Sequence, residues 1–387
     1  MKLLRTYIDK NKPLFQKGGK FEKLGSTFGA FETFLFTPNH TSKSGTHIHD
    51  TIDLKRTMII VVLALVPALL FGSWNIGYQN GLAFGIERSL LENFFFGFFK
   101  MLPILIVSYV VGLGIEFISA QIRGHEVNEG YLVTGILIPL IVPVTTPLWM
   151  VALAVAFAVI FGKEIFGGTG YNIMNVALIA RAFLFFAYPS YMSGDTVWIE
   201  GLTSQTAIDG FSGATPLAQL AQGAAAPVAS ISDLFFGFIP GSIGETSKFA
   251  ILIGAVILIF SGIASWKIML SAVIGVMSIG LLCNGLAVNE YMAVPAYYHL
   301  LTGGFAFGAV FMATDPVTAP HTEKGKWIYG FMIGAFVVLI RVFNPAYPEG
   351  MMLAILLLNV WSPLIDYFVV EGHIKRRMKR FVIKKNA

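Results

Sequence analysis

A threonine in a polar segment of an otherwise apolar chain is the first candidate for chemistry. Residues 209–217 read DGFSGATPL, and Thr215 stands there among glycine, alanine and serine in a loop without a basic residue. These small neighbours are expected to leave its hydroxyl open to a bulky group, and Pro216 prevents the preceding chain from continuing as a helix. Because a hydroxyl is a poor nucleophile, a covalent link at this position requires an external enzyme that recognises the loop.

The same segment fits a specific attachment pattern. The pattern D-x-x-[S/T]-G-A-T is matched by Asp209, Ser212, Gly213, Ala214 and Thr215. A flavin transferase attaches FMN to the threonine of this pattern through a phosphoester. The string SGAT alone is a flexible loop in most proteins, whereas the seven-residue version in an exported loop of a membrane protein is far more specific. We therefore predict covalent FMN on Thr215.

Three carboxylates in or beside apolar segments are candidates for an ion path, namely Glu116, Asp315 and Asp366. A carboxylate inside a membrane is costly unless it is paired or faces water. Carboxylate and carbonyl oxygens suit a hard cation, so we predict a Na+ pathway in which Glu116 is the leading residue. Structural alternatives stay open: Glu116 pairs with Arg123 at the interface, Asp366 pairs near the basic tail, and Asp315 caps a half-helix.

The composition sets the class of protein. Of the 387 residues, 55% are hydrophobic and only 13% are charged, and the mean hydropathy is +0.71. Apolar runs that are long enough to cross ~30 Å of hydrocarbon recur along most of the chain. We predict an all-α polytopic membrane protein of about ten helices, several of them short or interrupted, near 58–74, 99–122, 131–143, 147–161, 172–186, 249–264, 268–286, 299–312, 327–339 and 351–370.

Basic residues predict the orientation of these spans. They cluster before the first span and after the last, which places both termini in the cytoplasm, and residues 190–247 contain no lysine or arginine. The net charge of +5 thus reflects a positive-inside bias and not a nucleic-acid surface. The predicted segments are a cytoplasmic N-terminal segment (1–56), a first five-helix repeat (57–189), an external loop (190–247), a second five-helix repeat (248–370) and a cytoplasmic tail (371–387).

The two halves of the chain contain similar strings in the same order. Matched pairs are 132–135 with 300–303, 143–147 with 315–320, and 162–167 with 325–330, followed by breaks at 167–172 and 344–350. Two repeats of five spans each must be inverted relative to one another, and their broken half-helices present unpaired N–H groups to a ligand. Alternatively, the glycines only allow the helices to pack closely. Near the ends of spans five and nine, Arg181 and Arg341 either meet an FMN phosphate or pair with a carboxylate.

Longer stretches resemble the family of B subunits of Na+-translocating NADH:quinone reductases. They run from about the first predicted span to the last, at 49–59 (HDTIDLKRTMI), 125–130 (HEVNEG), 162–172 (GKEIFGGTGYN), 180–189 (ARAFLFFAYP), 240–245 (PGSIGE), 311–317 (FMATDPV), 341–356 (RVFNPAYPEGMMLAIL) and 366–368 (DYF). The D subunit of the related Rnf electron transport complex shares the expected fold and the flavin threonine. The extended basic segment before Asp53 favours the quinone reductase.

The resemblance implies roles for particular residues. Thr215 would carry FMN on the outer face, where the C subunit of such a complex exposes its own FMN. Riboflavin would be held without a covalent bond by Asn172 and Asn175, although asparagine at a helix start is also an ordinary cap. The quinone region of the family contains a glycine pair, of which Gly112 matches directly and Leu113 replaces the second glycine.

The function that the resemblance implies is that of a membrane subunit in a six-subunit complex of the bacterial inner membrane, with subunits A, C, D, E and F as partners. Electrons would pass from the C subunit through FMN and riboflavin to quinone, coupled to Na+ export. A non-redox transporter with an inverted repeat is the alternative from another class. No NADH fingerprint, haem ligands or iron–sulfur cysteines occur, so hydride enters on another subunit. No metal site is predicted, because Cys283 is alone and we interpret His47 and His49 as solvated.

Overall fold

The computed structural model describes residues 2–16, 18–21, 25–36, 45, 54–124, 130–202, 207–208, 211–223, 229–344 and 349–385. Throughout these ranges the regular secondary structure is helical, and no strand occurs in them. The prediction of an all-α membrane protein is therefore confirmed at the level of fold class. His47 and His49 lie outside the described residues.

The helices follow one another with short connections over most of the chain. In order they are α1 (Lys2–Phe15), α2 (Gly25–Leu35), α3 (Leu54–Phe84), α4 (Leu90–Arg123), α5 (Tyr131–Ile141), α6 (Leu148–Val159), α7 (Val176–Ala187), α8 (Pro189–Met192), α9 (Pro216–Ala221), α10 (Ile231–Phe236), α11 (Lys248–Phe260), α12 (Trp266–Leu286), α13 (Glu290–Ala293), α14 (Tyr298–Leu301), α15 (Phe305–Phe307), α16 (Glu323–Phe343) and α17 (Met351–Lys385). Two π-helical segments, Ile160–Glu164 and Gly308–Met312, continue α6 and α15.

Five helices are long and apolar enough to cross a membrane: α3, α4, α12, α16 and α17. The shortest two have 21 residues, which at 1.5 Å per residue gives about 32 Å of helix. The shorter apolar helices α5, α7 and α11 have 11–13 residues and reach only about 17–20 Å. The eighth predicted span is divided among α14, α15 and the second π-helical segment. Ten crossing helices are therefore not confirmed by length, and that number stays a prediction.

Glycines bring the long helices α12 and α16 into close contact. A Cβ added at Gly334 would lie 2.1 Å from the Ala272 carbonyl oxygen, and one added at Gly275 would lie 2.3 Å from the Phe331 carbonyl oxygen. Neither backbone has room for a side chain at these points. This close packing of small residues is the usual way in which helices associate within lipid, where burial of apolar surface contributes little.

Hydrogen bonds connect different segments of the chain to the two ends of the bundle. At one end, which we call the tail end, the Gln121 side chain donates to Thr27 Oγ1 at 2.9 Å and docks α2 on the end of α4. At the opposite end, the loop end, described parts of the segment 189–247 contact α3: Ile208 N–H donates to the Ala83 carbonyl at 3.0 Å, and the Asn80 amide donates to the Glu200 carbonyl at 2.7 Å. The polar segment and the N-terminal helices thus lie at opposite ends of the bundle.

The matched strings of the two halves do not all occupy equivalent places. Residues 143–147 and 315–320 each precede a helix, α6 and α16 respectively, whereas 162–167 follow α6 and 325–330 form the first turns of α16. In the first break, Gly167, Gly168 and Gly170 have φ of 124°, 98° and 91°, values that only glycine adopts without strain. Residues 345–348 of the second break lie outside the described residues. The inverted repeat therefore stays a prediction.

Candidate functional site

Thr215 is the N-cap of α9 and lies half-buried in a cavity wall. Its Oγ1 accepts a hydrogen bond from Ala218 N–H at 3.2 Å, and Pro216 occupies the first helical position. This is the position where proline stabilises a helix, because the missing N–H has no helical partner there. We predicted that Pro216 stops the preceding chain from continuing as a helix. The structure shows in addition that Pro216 starts the helix that Thr215 caps.

The small residues before Thr215 have a different role from the predicted one. A Cβ added at Gly213 would lie 2.1 Å from the Asp195 carbonyl oxygen, and both Gly213 and Ala214 are buried. They allow the chain segment around Asp195 to approach, whereas we expected them to leave space around the Thr215 hydroxyl. Ser212 is exposed and its Oγ accepts from Ala214 N–H at 3.3 Å. Asp209, the first residue of the pattern, lies outside the described residues.

Space for a bulky group is provided instead by a cavity of about 270 Å³ at the loop end. We call it the loop cavity, and its lining includes Met192, Trp198, Thr215, Ser242, Thr246 and Lys248. Its volume is close to the roughly 300 Å³ at which ligand pockets begin. Thr215 therefore lines a preformed cavity.

A buried ion network lies under this cavity. Arg181, which is 4% exposed, forms ion pairs with Glu245 at 2.7 Å and with Glu349. Burial raises the pKa of the Glu349 carboxyl above its ordinary value, although the Arg181 guanidinium acts in the opposite direction. Both carboxylates line the loop cavity. For Arg181, the structure thus shows the carboxylate pairing that the sequence left as one of two alternatives.

Arg341 is bound mainly by backbone oxygens. It is 1% exposed, and its guanidinium donates to the carbonyl oxygens of His299 at 2.7 Å, Thr302 at 3.1 Å and Glu349 at 3.2 Å. These carbonyls belong to the broken region around α14 and to the turn before α17. The arginine therefore satisfies carbonyl groups that a continuous helix would have used internally.

A second, smaller cavity of about 80 Å³ lies at the tail end, and we call it the tail cavity. It brings together Asn172, Asn175 and Asp315, three of the predicted site residues, with Lys163 and Thr57. The Asn175 Oδ1 accepts from Ala177 N–H at 3.1 Å and from Leu178 N–H at 3.2 Å. Asn175 is thus the N-cap of α7. Capping was the alternative to ligand contact in the sequence analysis, and the structure shows that Asn175 also lines a cavity.

Asn172 and Asp315 also make local hydrogen bonds. The Asn172 amide donates to the Met174 carbonyl at 3.2 Å. Asp315 accepts from Val317 N–H at 3.2 Å and from Thr318 Oγ1 at 3.1 Å, which stabilises the turn that precedes α16. The structure places Asp315 in the same cavity wall as the two asparagines, and its role in an ion path stays a prediction.

The partner of Glu116 is Lys163 and not Arg123. Glu116 and Lys163 form an ion pair in which the residues are 4% and 3% exposed, and Arg123 lies 3.6 Å from Glu164 instead. The interface pair that we considered as an alternative is therefore wrong. Sequence analysis missed the role of Lys163, although the pair Lys163–Glu164 stands between apolar residues shortly before the glycine-rich break, where charged residues are unusual.

Asp366 stabilises the start of α16. Its carboxylate accepts from His321 N–H at 2.7 Å, from Thr322 N–H at 3.0 Å and from Thr322 Oγ1 at 2.5 Å. These are the unpaired donors of a helix N-terminus, where a negative charge is favourable. We considered that Asp366 pairs with a residue near the basic tail. The structure shows it bound to the start of α16.

Gly112 in the predicted quinone region is required by packing. A Cβ there would lie 2.0 Å from the Tyr131 ring, whose hydroxyl lies 3.2 Å from Ser108 Oγ. Leu113 is half-buried and packs against the apolar core. The structure explains the glycine by the close approach of α4 and α5, and the quinone role stays a prediction.

Comparisons with known proteins agree over almost the whole chain. The model of the NQR2, RnfD, RnfE family matches residues 41–375. Proteins named as the B subunits of Na(+)-translocating NADH-quinone reductases are similar to the chain: that of Ectopseudomonas mendocina is 48% identical over 98% of this chain and 100% of its own length, and that of Chromohalobacter salexigens is 48% identical over 97% and 96%. The protein of the same name from Azotobacter vinelandii is 46% identical over 98% of this chain and all of its own length.

Proposed function

The chain belongs to the NQR2, RnfD, RnfE family, and from this premise we propose that it is the B subunit of a Na+-translocating NADH:quinone oxidoreductase. It works in the bacterial inner membrane together with subunits A, C, D, E and F of the complex. The D subunit of an Rnf complex falls within the same family description. The relatives that match 97–98% of the chain at 46–48% identity carry the quinone reductase name, and they favour the first assignment.

One observation carries the redox part of this proposal, the position of Thr215 in the wall of the loop cavity. The residues there fit covalent FMN, because the attachment hydroxyl borders a space large enough for a ring system and lies at a helix start. Once bound, FMN supplies the capacity to accept and release electrons. The chain supplies the anchor at Thr215, the enclosing walls and the polar floor.

The tail cavity is the proposed riboflavin site. The amides of Asn172 and Asn175 and the carboxylate of Asp315 suit the oxygen and nitrogen edges of a flavin ring. A space of about 80 Å³ holds a few water molecules but not a three-ring system. Binding there requires the lining side chains to move apart, and no further step is assigned to this site.

The proposed roles of the two ends rest on the family to which the chain belongs. On this proposal the loop cavity would face outward, where the C subunit delivers electrons, the tail cavity would lie on the cytoplasmic side, and quinone would bind near Gly112. Glu116 is the proposed Na+ contact. Since its carboxylate is paired with Lys163, Na+ reaches it only if the ammonium group withdraws or shares the carboxylate oxygens.

The test of the proposed function is in-gel fluorescence of the purified complex after denaturation. We expect ultraviolet light to reveal a flavin band at about the 42.2 kDa of this chain, and Thr215→Ala to abolish it while the complex still assembles. Thr196→Ala removes an exposed hydroxyl from the same polar segment and should leave the band unchanged. A fluorescent band in the Thr215→Ala complex would show that the attachment site is wrong.

A further inference from the structure

The floor of the loop cavity contains two polar groups at the start of α11. Lys248 is the first residue of this 13-residue helix and is 4% exposed, and Thr246 is 3% exposed. Both residues line the same cavity as Thr215. The cavity therefore has an anchor for a covalent group in one wall and a buried ammonium and hydroxyl in its floor.

The Thr246 hydroxyl has no hydrogen-bond partner among the described residues. Buried hydroxyls are rarely left in this state, because an unsatisfied group loses its hydrogen bonds to water without replacement. Thr246 also lines the loop cavity, and a rotation about its Cα–Cβ bond would turn the hydroxyl towards a group that enters the cavity.

The ammonium of Lys248 is only partly satisfied by the chain. It donates to the carbonyl oxygens of Glu245 at 3.3 Å and Thr246 at 3.1 Å, and an ammonium group has three donors. The N-cap function of this helix belongs to Ser247, whose Oγ accepts from Ala250 N–H at 3.2 Å. A lysine in the first turn of a helix is opposed by the helix dipole. Helix stability therefore does not explain why a lysine occupies this position.

The cations around the floor differ in what they contact. Arg181 forms ion pairs with the carboxylates of Glu245 and Glu349, whereas Lys248 contacts Glu245 only through its backbone carbonyl oxygen. Asp195 also lines the cavity but is exposed, so that solvent screens its charge. The described hydrogen-bond partners of the Lys248 side chain thus include no carboxylate, and an electron-rich group in the cavity would find a donor there.

We propose that Lys248 and Thr246 bind the pyrimidine edge of the flavin attached to Thr215 and stabilise the negative charge that the ring gains when it accepts an electron. This inference rests on the proposed attachment of FMN and adds the residues that set its reduction potential. The protein tunes a flavin mainly through charges and hydrogen bonds at the ring nitrogens and oxygens. A protonated Lys248 at that edge would make reduction easier, and the Thr246 hydroxyl would donate to the same acceptor edge.

The experiment is a reductive titration of the whole purified complex with dithionite, followed by visible absorption. The Thr215→Ala complex lacks the attached flavin and supplies the reference for the other flavins of the complex. We expect Lys248→Gln to shift the potential of the attached flavin to a more negative value at unchanged attachment. Lys248→Arg keeps the charge and should restore the potential, and Thr246→Val should produce a smaller shift in the same direction.

Lys100→Gln is the matched control, because Lys100 is a partly exposed lysine at the same end of the bundle that pairs with Glu200. It removes the same charge outside the cavity and should leave the reduction potential of the attached flavin unchanged. Full attachment with an unchanged potential in Lys248→Gln would overturn the inference. Loss of attachment in this variant would also overturn it, since the charge would then serve the linkage or the fold. If the unmodified chain has no covalent flavin, the proposed function itself fails, which is a different outcome.

Discussion

The loop cavity and the tail cavity lie at opposite ends of one helical bundle, and they differ in size and in the state of their polar groups. The loop cavity has about 270 Å³ and a buried hydroxyl without a partner among the described residues, that of Thr246. The tail cavity has about 80 Å³, and its asparagines already bond to neighbouring backbone groups. If both cavities hold a flavin as proposed, the first has its space already formed, whereas the second must rearrange to bind one.

The largest expected effect concerns the ion network under the loop cavity. Arg181→Gln leaves the buried Glu245 and the half-buried Glu349 without their cation, and breaking a buried pair costs about 3–5 kcal/mol. We expect a marked fall in the thermal unfolding temperature of the detergent-solubilised complex. Lys100→Gln disrupts a partly exposed pair worth about 0–1 kcal/mol and is the control. Equal losses in the two variants would mean that the network contributes no more than a surface pair.

A smaller effect is expected for the Glu116–Lys163 pair near the tail cavity. Glu116→Gln removes the charge but keeps an oxygen that accepts from Lys163, so stability should fall less than in Arg181→Gln. If the carboxylate contacts Na+, quinone reduction should need several-fold more Na+ for half-maximal rate. The variant Glu116→Gln/Lys163→Met removes both charges and distinguishes the two roles. If the Na+ concentration for half-maximal rate stays raised in the double variant, Glu116 contacts Na+ directly. If that concentration returns to the value of the unmodified complex, the effect of the single variant came from the unpaired lysine.

The smallest change in stability is expected at the tail cavity itself. Asn175→Ser keeps an oxygen that caps α7, and asparagine and serine are nearly equal as N-caps, so stability should change by less than about 0.5 kcal/mol. The amide donors are lost, and we expect the amount of riboflavin extracted from the complex by acid to fall. Retention of riboflavin in this variant would assign Asn175 to capping alone. The covalent flavin on Thr215 should be unaffected and serves as the internal reference.

The features that the sequence predicted well are those encoded locally. The long apolar runs of α3, α4, α12, α16 and α17 are contiguous, so hydropathy found them. The attachment pattern at Thr215 is contiguous as well, and the attachment itself stays a prediction. Asn175 was recognised as a possible cap because capping depends on residues two and three positions along the chain. Local chemistry of this kind does not depend on how the helices pack against one another.

The features that sequence analysis missed depend on contacts between distant segments. Glu116 and Lys163 are separated by 47 positions, whereas spacing along one helix suggested Arg123. Lys248 and Thr246 were not recognised, because their significance lies in the cavity that they share with Thr215. The role of Gly213 was misjudged for the same reason, since the approaching Asp195 carbonyl cannot be inferred from the neighbouring residues.

The central claim is that Thr215 carries a flavin in the loop cavity, and peptide mass spectrometry tests it most directly. Since residues 190–247 contain no lysine or arginine, pepsin should be used in place of trypsin to obtain short peptides from the purified complex. We predict a peptide whose mass is raised by FMN less one water, with the added mass located on Thr215 by fragmentation. An unmodified Thr215 in a complex that was expressed with its flavin transferase and that retains all six subunits would contradict the claim.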